Sequence, residues 1–169
     1  MEFVLSDSII TRRTYQVEHV TIESQKGFEV VKAALESSLP QFDASILVLL
    51  RYGESARVKK ELERTSGLCI FLSRDHGGLL QIQAQRKKAV QYEIGNAYTA
   101  SRMTQHRLPV ALYAPLRIIL FENAHGHAVL EYDKPSTLFG QYGDEKVIAI
   151  ARELDQQIES VLREAAECL

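Results

Sequence analysis

The sequence predicts a single α+β domain: one antiparallel sheet with helices on one face, closed by a long amphipathic helix at its C-terminal end. Three observations carry that reading. Residues 116–132 have the pattern of a β-hairpin, with strand-like residues 116–122, a turn at Asn123-Ala124-His125-Gly126 and a returning strand over 127–132. Val147, Ile150, Ala151, Leu154, Ile158, Val161, Leu162 and Ala165 then form a continuous apolar stripe at helical spacing. Upstream, strand-like and helix-like segments follow one another with no internal repeat, low-complexity tract or linker. A stripe of that length must lie on a large apolar surface, and a sheet is the only one available.

Taken in order, residues 1–14 lack a clear period and read as an N-terminal arm, leaving 15–169 as the domain. Residues 15–23 have strand composition, with Tyr15, Val17, Val20, Thr21 and Ile22. Ser24 is placed to cap a helix whose apolar face is Phe28, Val31 and Leu35, ending before Pro40. Residues 46–50 are a continuous apolar run, and periodicity leaves open whether it is a buried strand or a helical turn. Val58 and Leu62 mark a short helix ending near Gly67. Residues 68–72 form the next strand, and residues 73–78 break it. Residues 86–94 are basic and then apolar, and Gly95-Asn96 breaks the chain again. Thr99 can cap a helix that runs through Met103 and stops before Pro109. Asp144 can cap the final helix, which extends to about residue 167.

Composition excludes several function classes. The 169 residues carry 20 basic and 22 acidic side chains, a formal net charge of −2. That balance gives no pull toward nucleic acid or an anionic membrane, and the basic clusters Arg12-Arg13, Lys59-Lys60 and Arg86-Lys87-Lys88 are short and scattered. The longest apolar run, residues 44–50, is far below the ~20 residues of a membrane-spanning helix. No signal peptide is visible at the start, so a cytoplasmic location is expected. Cys69 in an apolar run and Cys168 at the tail read as thiols of a reducing compartment. There is no Gly-rich phosphate loop, nucleophile elbow or dinucleotide fingerprint, so no cofactor is expected. His125 and His127 bracket Gly126, but two ligands at a hairpin tip make an incomplete metal site.

Some residues could carry chemistry. In Asp75-His76-Gly77-Gly78, histidine is a residue type suited to general acid–base work, and two glycines would let a ligand approach closely; a tight turn is the alternative. Arg117 interrupts an otherwise apolar strand. It calls for a carboxylate within the protein (Glu93, Glu131 or Asp133) or for an anionic ligand. Glu122 and Tyr132 flank the hairpin, with Tyr92 and Tyr113 as further candidates for a small-molecule pocket or for ordinary core.

Between residues 75 and 139 the ordered set Asp75-His76-Gly77, Gly95-Asn96, Ala114-Pro115-Leu116-Arg117, Glu122 with Gly126, and Tyr132-Asp133-Lys134-Pro135-Ser136 resembles the family known as domain of unknown function 302. The resemblance implies a compact TBP-like fold, a β-α-β(4)-α order, and homodimers. It departs in Ala97, where the family often has proline, and in a long N-terminal segment and an insertion over residues 51–65.

Two functional expectations follow. One is a cofactor-free enzyme (a cyclase, lactonising enzyme, isomerase or dehydratase) acting on a polyketide-like carbonyl compound held between the sheet and the last helix. In it His76, with Asp75 or Glu122, moves a proton. Arg117 or Tyr132 steadies developing oxyanion charge, and Tyr92, Asn96, Tyr113 and Tyr132 line the ligand. The other is a non-catalytic homodimeric binding or interaction module. A pocket lined by His76, Arg117 and tyrosines favours the first, and an apolar pocket the second.

Overall fold

A computed structural model of the chain describes residues 8–65 and 67–167. The first seven residues of the expected arm, and Cys168, lie outside the described residues. The chain forms β1 (His19–Gly27), α1 (Phe28–Ser38), a 3-10 helix (Ala44–Tyr52), α2 (Ser55–Arg64), β2 (Cys69–Asp75) and α3 (His76–Leu79). After β3 (Ala89–Gly95) come α4 (Ala97–Thr104), a 3-10 helix (Leu108–Tyr113), β4 (Leu116–Glu122), β5 (His127–Asp133), α5 (Pro135–Gly140) and α6 (Glu145–Glu167). The five strands make one sheet in the order β1-β5-β4-β3-β2, every neighbour antiparallel. The β-α-β(4)-α order is therefore present, with short helices inserted between strands.

Strand alternation divides the sheet into two faces. Val90, Tyr92 and Ile94 of β3, Ile118 and Leu120 of β4, and Leu130 and Tyr132 of β5 are buried in the same core as Val31 and Leu35 of α1 and Ile158 and Leu162 of α6. The opposite face shows Arg74, Gln91, Glu93, Arg117, Ile119 and Glu131, all partly or fully exposed. The stripe on α6 is buried as its spacing predicts, with Val161 at the edge of the core. Asp144 starts that helix by accepting the backbone N–H groups of Lys146 and Val147 at 2.9 and 3.1 Å. At the hairpin tip, Asn123 Oδ1 accepts from the N–H groups of His125 and His127, and Gly126 takes the positive φ (80°) that glycine adopts without cost.

The first strand lies further along than its composition predicts. It starts at His19, because Val20 and Ile22 pair with Tyr132 and Leu130 of β5, and it continues through Ser24. Ser24 is not a helix cap. It is buried, its hydroxyl donates to the carbonyl of Ala166 near the end of α6, and it accepts from the N–H of Lys26. A partner 142 residues away competes better for this hydroxyl than the local helix start, and Gly27 takes the cap position of α1. The expected break after residue 72 is displaced too, since cross-strand pairing to Gln91 and Val90 carries β2 on to Asp75. The apolar run left open as strand or helical turn is the 3-10 helix Ala44–Tyr52, and none of its residues is buried. Among the described residues no helix is long and apolar enough to cross a membrane.

Candidate functional site

The Asp75-His76-Gly77-Gly78 motif is held together by its own backbone. Asp75 Oδ1 accepts the N–H of Gly78 at 2.7 Å and so starts α3. Gly77 is buried against the chain entering β3: a Cβ there would stand 2.3 Å from the carbonyl oxygen of Lys87 and 2.8 Å from the N–H nitrogen of Ala89. The glycine that could have admitted a ligand admits the neighbouring strand instead. His76, beside it, is exposed.

Arg117 is also exposed, not buried as an apolar strand suggested. It stands across from Glu93 on the face away from the helices. Glu93 in turn accepts from Arg74 at 2.7 Å. Asp75 pairs with Val90, on the other face, three residues from Glu93 along β3. His76 and Arg117 are thus separated by roughly 10 Å along the strands and by about two strand spacings across them. The sheet does not bring these two side chains together. Glu122, at the end of β4, accepts from Lys88 at 3.0 Å.

The three tyrosines are packed. Tyr92 is fully buried and donates to Glu36 of α1 at 2.9 Å, and burial followed by that carboxylate pushes its pKa well up. Tyr132 is buried in the same core, and desolvation, with Glu159 and Asp155 nearby, raises its pKa to about 12. Tyr113 packs edge-on to Phe139 and against Tyr142.

The middle of the interface between sheet and α6 is filled by buried side chains, among them Tyr92, Leu120, Leu130, Ile158 and Leu162. A cavity opens at its end, where Ile94 of β3, Leu116 of β4 and Leu154 of α6 meet α4. Its volume is about 800 Å³, within the usual range for small-molecule sites. α2 supplies Ala56, Val58 and Leu62, and Leu47 and Leu50 come from the first 3-10 helix. Met103 and Phe139 complete the apolar wall. Most polar groups on the lining are engaged within the protein. Ser101 donates to the Tyr98 carbonyl, and Gln105 to the Arg102 carbonyl. The Tyr98 hydroxyl bonds to Glu63, which raises its pKa.

A family model described as "Domain of unknown function DUF302" matches residues 54–165, two thirds of the chain. The chain belongs to the DUF302 family. Its fold is similar to the crystal structure of an uncharacterized conserved DUF302 protein from Bacillus stearothermophilus, with a TM-score of 0.63 and 17% identity, over 87% of this chain and 97% of that one. Among curated proteins none matches. The DUF302 match begins at residue 54, within the segment over 51–65.

Of the candidate catalytic and ligand-binding residues named from sequence, only Asn96 borders the cavity of this DUF302 chain. Its side chain is already committed. Oδ1 accepts the N–H of Thr99, capping α4 in the place expected of Thr99 itself, while Nδ2 donates to the carbonyls of Thr65 and Gly67. Asn96→Ala should cost about 1–2 kcal/mol of stability, read as a lower denaturation midpoint, because a cap and two loop carbonyls lose their partner together. The wall residues of α2 and α4 carry no sequence motif. The available signal was the apolar run over residues 44–50, which has no place in a β-α-β(4)-α outline and so needed a surface of its own.

Proposed function

We propose that the protein binds a small, mostly apolar molecule in the cavity between α2, α4 and the end of the sheet. One observation carries this reading: an apolar-walled space of about 800 Å³ whose polar lining groups are largely satisfied by the protein. An apolar wall of that extent offers an apolar ligand many van der Waals contacts. Of the two functional expectations, the binding module fits better. A cofactor-free cyclase or isomerase needs a proton-moving group at the ligand, and neither His76 nor Arg117 lines this cavity. The homodimer implied by family resemblance belongs to the same proposal, as does a cytoplasmic location; light scattering giving twice the chain mass at micromolar concentration would support the dimer.

The cavity reading is tested by filling it. Ala100 of α4 lines the space and is only half-buried, so Ala100→Trp should fold normally. Binding of the neutral apolar dye Nile red, followed by fluorescence titration, should weaken about tenfold or more in that variant and stay unchanged in His76→Ala. Equal binding by wild type and Ala100→Trp, with both folded, would place the dye elsewhere and remove the proposal.

A further inference from the structure

We infer that the occupant of this cavity is an anionic amphiphile, an apolar body ending in a carboxylate, with Lys59 and Arg102 receiving its head group. The inference rests on the cavity being a ligand site, and names the class of ligand. Among the described residues, the cavity lining includes these two basic side chains and no aspartate or glutamate. One stands on α2 and the other on α4, the two helices that frame the space. The first turns of both helices also border it, through Ser55 and Ala56 and through Ala97 and Tyr98, so their partial positive ends add in the same sense.

Lys59 and Arg102 have protein partners, but loose ones. Lys59 lies 3.8 Å from Glu63 and Arg102 3.8 Å from Glu153, and both basic side chains are substantially exposed. Pairs of that length and exposure contribute little, so a ligand carboxylate can replace them at small cost. The same carboxylate held at the edge of an apolar cavity gains more, because the surrounding wall excludes water. The apolar end of the ligand has matching surfaces. Val58, Ile94, Met103, Leu116, Phe139 and Leu154 are buried at the back of the space. Leu47 and Leu50 border it with 37% and 49% of their surface exposed, which an apolar chain would cover.

The test compares dodecanoate with dodecanol, equal in chain length and different in head-group charge, by calorimetric titration of the full chain below micellar concentration at neutral pH. Dodecanoate should bind at least about tenfold more tightly, the effect of a charge-assisted contact. In the double variant Lys59→Gln/Arg102→Gln, checked for an unchanged melting curve, that preference should vanish while dodecanol affinity stays the same. Equal affinity of the two probes for the wild-type protein would overturn the head-group assignment and leave the apolar site standing, as would a preference that survives in the double variant. If neither probe binds, the cavity itself is not a ligand site and both proposals fall.

Discussion

Gly77→Ala should destabilise the protein by about 3 kcal/mol or more, lowering Tm on the order of 10 °C, although it adds one methyl group. The cause is geometric. The new Cβ would lie 2.3 Å from the Lys87 carbonyl oxygen and 2.8 Å from the Ala89 nitrogen, both backbone atoms of the segment entering β3. A side-chain neighbour could rotate away, but here α3 must lift off the strand or β3 must shift its pairing with β2 and β4. Gly78→Ala is the useful contrast. Its Cβ would meet the Asp75 carboxylate at 2.5 Å, and that side chain can move at the cost of one cap hydrogen bond. Thermal melts followed by circular dichroism should rank the two variants in that order. If Gly77→Ala melted like the wild-type protein, α3 would not be seated on β3 as described.

Ile158→Asp should be worse still, with a loss of more than about 4 kcal/mol. Ile158 is completely buried in the middle of α6, in the same core as Tyr92, Leu120 and Leu130 of the sheet. A carboxylate there loses its hydration, and among the described residues no lysine, arginine or histidine is buried to meet it. Leu154→Asp, one turn earlier, should also destabilise but by less. Leu154 borders the cavity, so its carboxylate would have solvent-accessible space to turn into. Urea unfolding of the two variants separates these cases: Ile158→Asp should be unfolded or nearly so without denaturant, while Leu154→Asp retains a cooperative transition. Equal effects would mean that the cavity does not reach the α6 stripe.

The catalytic expectation from sequence depended on distances that a sequence does not contain. Asp75-His76-Gly77-Gly78 reads the same whether its glycines admit a ligand or a strand, and only the position of Lys87 and Ala89 decides between them. Arg117 on an apolar strand reads as buried until its face of the sheet is seen to be open; its neighbours Ile119 and Phe121 are partly exposed as well. Asn96 was legible as a break in the chain, yet two of its three hydrogen bonds reach Thr65 and Gly67, about thirty residues back. The cavity itself was invisible because its wall is assembled from α2, α4, two strand ends and α6, and the motif residues at the strand ends, Gly95-Asn96 and Ala114-Pro115-Leu116, do not say which distant segments stand across from them.

By itself the sequence determined the elements whose signals are local and periodic. The hairpin between β4 and β5 follows from the Asn123 turn and its flanking β-formers, and α6 follows from its stripe and the Asp144 cap. It also determined, through the ordered motifs between residues 75 and 139, the family and so the sheet-and-helix outline. Tertiary structure alone decided where β1 begins, what Ser24 does, which face Arg117 occupies, and where space remains. The physical division is one of range. Turn chemistry, caps and amphipathic spacing act over a few residues and are written in order along the chain. Strand pairing, a glycine's clearance and an unfilled volume depend on partners tens of residues away, and those partners are fixed only when the whole chain has packed.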